Sequence, residues 1–178
     1  MTIITLPNLQ TQHERDPLKP YTSLGLLTDI ANFLTKRTSC LAKLHVKNPQ
    51  FEEIRVSFNV KLFDGYDAAY YKIQLQQAIT RFLSPWAFTS DGVPSFGGKV
   101  YQSVLVNFVE EQPYVDYVTD FQMFQDIPCQ PKGTQPLDEA TGSRAVSILV
   151  SAPASAHAVT VLEVAPDPEL AESCGCDA

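Results

Sequence analysis

Ala42-Lys-Leu-His-Val-Lys-Asn-Pro-Gln-Phe-Glu-Glu-Ile-Arg-Val-Ser-Phe-Asn-Val-Lys-Leu62 is the stretch that decides the fold. Ile54, Val56, Phe58, Val60 and Leu62 alternate with Arg55, Ser57, Asn59 and Lys61. Successive side chains of a strand point to opposite faces, so this strict period of two specifies a strand with one buried face. Just upstream, Ala42, Leu44 and Val46 alternate with Lys43, His45 and Lys47. The link Asn48-Pro49-Gln50 is too short for a crossover, so an antiparallel hairpin over residues 41–62 is expected.

Outward from that hairpin the pattern turns helical. Upstream, Leu27, Ile30, Ala31 and Leu34 fall at i, i+3, i+4, i+7 behind Thr22 or Ser23 as cap, with Lys36 and Arg37 at the C-terminal end. Downstream, Tyr71, Leu75, Ala78, Ile79, Phe82 and Leu83 form one stripe after Asp64 or Asp67, and Ser84-Pro85 stops that helix. Residues 100–112 fit helical spacing through Tyr101, Val104, Leu105 and Phe108, ending before Pro113. Strands are expected at 2–6, 114–124, 146–150 and 158–164. The resulting order, β-α-β-β-α-α-β-β-β, predicts an α+β fold: two to three helices packed on one face of a mainly antiparallel sheet.

The 178 residues suit one domain, with 44% hydrophobic and 19% charged residues. No run of about 18 apolar residues exists, and the N-terminus lacks a basic, then apolar, signal pattern. The chain is therefore expected to be cytoplasmic when made and not to insert into a membrane. A net charge of −7 argues against nucleic acid as a partner. Five acids and no base follow Leu162, which leaves 15 acids against 13 bases before them. The segment 165–178 reads as a disordered acidic tail.

Chemistry is sparse. Cys40, Cys129 and the Cys174-Gly-Cys176 pair lack the two spaced pairs of a zinc site, so no metal and no cofactor are expected. His13, His45 and His157 sit in unrelated segments. Ser95–Val100 misses the phosphate-loop pattern, with Val93 and Val100 where Gly and Ser or Thr are needed. Glu52-Glu53 and Glu110-Glu111 read as solvated charges, because neighbouring side chains diverge. No serine lies in a nucleophile elbow. No catalytic residue is assigned, and the alternatives are a small-ligand-binding domain or a hydrolase with a scattered triad. Candidate contact residues are the cations on the outer hairpin face, Lys43, His45, Lys47, Arg55 and Lys61, which suit an acidic protein partner. Trp86 and Phe88, in a Gly/Pro loop, join them as aromatic anchors.

Several motifs stand together in order: Asn48-Pro-Gln-Phe-Glu-Glu-Ile54 with its strand, Phe82-Leu-Ser-Pro-Trp-Ala87, Phe96-Gly-Gly-Lys-Val-Tyr-Gln-Ser103, Pro113-Tyr-Val-Asp-Tyr-Val-Thr-Asp-Phe121 and Ser147-Ile-Leu-Val-Ser-Ala-Pro153. Over roughly residues 1–165 the chain resembles the C-terminal region of baseplate J-like wedge proteins of contractile phage-tail-like injection systems. That resemblance implies a structural, non-enzymatic role through protein–protein contacts. It also implies other wedge subunits and hub or sheath proteins as partners in a six-fold assembly. The division that follows is a strand and linker at 1–22, the baseplate J-like α+β domain at 23–164, and the tail. Members of that family are longer, with domains upstream, and the Cys-Gly-Cys tail lies outside the resemblance.

Overall fold

Gln50–Leu62 forms one unbroken strand of 13 residues, and everything else is arranged around it. The computed structural model describes residues 1–7, 16–39, 42–89 and 94–162. In chain order these hold β1 (Thr2–Ile4), α1 (Leu24–Thr35), β2 (His45–Lys47), β3 (Gln50–Leu62), α2 (Ala68–Leu83), β4 (Lys99–Tyr101), α3 (Gln102–Glu110), β5 (Val115–Asp126), β6 (Glu139–Thr141), β7 (Ser147–Ser151) and β8 (Ala158–Val161). His13, Cys40, Cys174, Cys176 and the acidic segment lie outside the described residues.

Local chemistry sets the helix ends. The Ser23 hydroxyl accepts from the Leu26 N–H, and the Asp67 carboxylate accepts from the Tyr70 N–H at 2.6 Å, each satisfying a first-turn donor. The helix expected over 100–112 is split: Lys99–Tyr101 pairs with β6 as a strand, and the helix starts at Gln102.

The expected hairpin does not form. β2 pairs with β1 in parallel, His45 opposite Thr2 and Lys47 opposite Ile4. The reason lies in the link. Tight hairpin turns need positive φ at their central residues, and Pro49 is locked near −65° without an N–H. Asn48 is instead held sideways: its amide donates to the Thr22 carbonyl and its oxygen accepts from the Thr22 N–H. β3 takes β5 as its antiparallel neighbour on one edge. On the other edge β7 and β8 follow one another, both parallel to β3. The α+β class stands, with a mixed central sheet. Asp120, at φ 52°, marks the extra β5 residue where the β3–β5 register shifts, and its carboxylate accepts from Asn59.

Ile54, Val56, Phe58, Val60 and Leu62 face one layer made of α2 and α3, packing with Leu75, Ile79, Leu83, Leu105 and Val109. Each such side chain contributes roughly 1.5–3 kcal/mol on burial. Leu149 and Val159 carry this core across β7 and β8. The opposite face of β3 shows Glu53, Arg55, Ser57, Asn59 and Lys61, all half-buried. α1 packs on β2, away from the main core, and none of its residues is fully buried.

Candidate functional site

Loss of the hairpin separates the candidate cations. Lys43, His45 and Lys47 are exposed around β2, while Arg55 and Lys61 belong to β3 in a different sheet. Arg55 is engaged: it lies 3.5 Å from Asp126, donates to the Gly133 carbonyl and stacks over Phe124. Lys61 sits 3.7 Å from Asp116 and faces the Tyr117 ring. The five therefore do not share one hairpin face.

The two loop aromatics also part company. Trp86 is only 8% exposed and packs with Phe51, Ile148 and Val150. A 3₁₀ turn over Pro85–Ala87 places the indole in the core, where the Gly/Pro loop was expected to present it as an anchor. Phe88, one residue past that turn, is 50% exposed with the Arg81 guanidinium 5.7 Å from its ring.

Glu52 contradicts its reading as a solvated charge. It is fully buried, accepting from the Ser143 N–H, the Ser143 hydroxyl, Gln50 and Gln125. Burial alone would raise its pKa, but the donors from Ser143, Ser147 and Gln125 outweigh it and hold the carboxyl below its ordinary value. The carboxylate thus ties the start of β3 to the loop before β7. Glu52 shares the parity of Ile54 and Val56, the signal that could have found it. Its neighbour Glu53 faces the other way and pairs with Lys19.

One Ser–His contact exists among the described residues. Ser151 Oγ lies 3.0 Å from His157 Nε2, both buried. The proton positions follow from the other partners. The Val56 N–H donates to His157 Nδ1 at 3.4 Å, and the Ser151 hydroxyl donates to the Ala152 carbonyl at 2.7 Å. Nε2 therefore carries the hydrogen and donates to Ser151 Oγ. A general base needs a free lone pair toward the nucleophile, and this imidazole presents a proton instead. Burial pushes His157 down to about 4; a hydrogen bond with the Ala152 backbone opposes this and the Arg55 charge adds to it. With the Ser84 hydroxyl accepting from the Ser151 N–H and Gln76 donating to the His157 carbonyl, the cluster joins α2, β3, β7 and β8.

The concave features among the described residues are open. A groove of about 710 Å³ runs between β4, α3 and β6, lined by Tyr101, Gln102, Asn107, Glu110, Asp138 and Glu139 among others. Among the described residues no cluster of three His, Cys, Asp or Glu side chains could hold a metal ion. No described helix is long and apolar enough to cross a membrane.

Comparison with known proteins supplies the context. The family described as baseplate protein PVC11-like matches residues 1–150. Among solved structures the chain is similar to one in the cryo-EM structure of the anti-feeding prophage (AFP) baseplate, 6-fold symmetrised, with 20% identity and a TM-score of 0.59. That likeness, one of fold, covers 84% of this chain and 29% of the other, so the chain spans less than a third of its relative's length. No curated protein matches. The family match runs from β1 through most of β7, taking in β3 and both helices of the core, and the chain belongs to the PVC11-like baseplate protein family.

Proposed function

We propose that the chain is a wedge component of the baseplate of a contractile injection system and acts through protein–protein contacts, without catalysis. The observation that carries this reading is where the large aromatic side chains lie. Phe63 (48% exposed), Tyr66, Tyr70 (56%) and Phe88 stand on the surface of a well-packed core. Tyr66 and Tyr70 both pack edge-on against Tyr71, which holds their rings in place. Rigid, exposed aromatic rings are characteristic of contact hot spots, because they bury much area at little entropic cost. The buried Ser151–His157 pair, proton-blocked as described, gives a hydrolase no support, and the open groove does not resemble an enclosed ligand pocket.

Other wedge subunits are the proposed partners, with hub or sheath proteins beyond them in a six-fold ring. Lys43, His45 and Lys47 offer a second contact surface for an acidic neighbour. The test is particle assembly in cells whose own copy has been replaced by Tyr70→Ala/Phe88→Ala. Loss of complete particles with an unchanged melting temperature is expected. A normal particle count from a stably folded double variant would overturn the assignment of these rings to an interface.

A further inference from the structure

The unit made by β1, β2 and α1 is unlike the rest of the molecule. Its sheet is an isolated parallel pair. Parallel strands normally sit in sheets covered on both faces, and two strands alone are marginal. Its helix leaves Leu24 81% and Phe33 55% exposed. Residues 21–47 contain Lys36, Arg37, Lys43 and Lys47, with His45, against the single acid Asp29. Among the described residues the ion pairs use Lys19, Arg55, Lys61 and Lys99, so these four cations have no acidic partner there. All four are exposed.

The complementary charge exists in the same chain. Residues 163–178 contain Glu163, Asp167, Glu169, Glu172 and Asp177 and no base. They follow Leu162, whose N–H donates to the Val60 carbonyl. From Val60 back to Gln50, beside β2, is ten residues of β3, about 33 Å at roughly 3.3 Å per residue. Sixteen residues can span about 53 Å at the same rise, so the segment is long enough to bring Glu172 and Asp177 to β2 from Leu162. A long phosphate polymer fits less well, since the chain as a whole carries −7.

We propose that residues 163–178 of this chain dock on the cationic face formed by β2 and the end of α1. In the isolated chain the segment takes the face that an acidic neighbour would take in the particle, and particle counts do not test it. The experiment is zero-length carbodiimide crosslinking of the full chain with peptide mapping, on an equal mixture of unlabelled and ¹⁵N-labelled protein. Links from Lys36, Lys43 and Lys47 to Glu172 or Asp177 within one copy are expected in excess over links to the exposed Lys72 and Lys132, and an excess found only between copies would overturn the proposal. Screening of exposed charges predicts loss of most of that excess on going from roughly 0.05 to 0.5 M salt. In the exposed Lys43→Glu/Lys47→Glu variant the links to the unaltered Lys36 should fall to the level of Lys72 and Lys132 as well. Links spread evenly over Lys72, Lys132 and the β2 lysines, or an excess indifferent to salt and to the double substitution, would overturn the proposal.

Discussion

Replacing Glu52 by alanine removes the acceptor that ties the start of β3 to the loop before β7. Gln50 and Gln125 are half-buried and can turn their amides toward water. The Ser143 N–H, 3.1 Å from the carboxylate, loses a charged acceptor, although Ser143 itself is exposed. Losing hydrogen bonds to a charged acceptor costs about 1.5–3 kcal/mol, and the emptied side-chain volume adds about 1 kcal/mol. The expected loss is about 3 kcal/mol, or roughly 6–12 °C in Tm for a chain of this size. Glu52→Gln keeps one accepting oxygen and should lose about half as much.

The same residue fixes the sign of a pH effect. Its folded pKa lies below the ordinary 4.5, because hydrogen bonds from Ser143, Ser147 and Gln125 prevail over burial. Its stabilisation is therefore complete above pH 4.5 and fades as pH falls through the folded value. Thermal melts of the parent and Glu52→Gln, followed by circular dichroism from neutral to acid, should show a gap that is widest near neutrality and closes in acid. A Glu52→Ala chain melting within about 1 °C of the parent, or a Glu52→Gln gap independent of pH, would refute the reasoning.

Other outcomes follow from the same structure. Trp86→Ala should cost about 3–5 kcal/mol in chemical denaturation and Phe88→Ala less than about 0.5 kcal/mol; equal effects would contradict their opposite placements. His157 is neutral in the fold, so its contribution is complete above pH 6.5 and lost as pH falls toward about 4, up to about 3 kcal/mol in a pH series of denaturation curves. Nitrogen NMR should find the hydrogen of that ring on Nε2, and a fluorophosphonate probe should leave Ser151 unlabelled. Gly133→Ala would bring a Cβ to 2.5 Å from the Gln125 carbonyl oxygen and should lower Tm, whereas Gly25→Ala, with nothing within 4 Å, should hold or raise it.

How much of this was legible beforehand depended on whether the deciding contact was local. The alternation over Ile54–Leu62, the stripes of α1 and α2 and the caps Ser23 and Asp67 act within one turn or one strand, and the structure keeps them. Strand pairing is not local. Nothing in Lys43–Lys47 says that its neighbour is Thr2–Ile4, although Pro49 already spoke against a tight hairpin. Glu52 was readable from parity and was missed because paired acids suggest a loop. Ser151 and His157 meet only because a 3₁₀ turn at Ala154–Ala156 breaks the chain between two strands sharing one edge of β3. The inward turn of Trp86 likewise depends on Phe51 and Ile148, far away in sequence.

The most direct measurement of the central claim is a cryo-EM reconstruction of the intact particle that contains this chain. The account predicts density for β3, its α2–α3 layer and β5 in every baseplate repeat, with Tyr70 and Phe88 buried against another subunit. Complete particles lacking the chain, or a bound chain whose Tyr70 and Phe88 both face solvent, would contradict it.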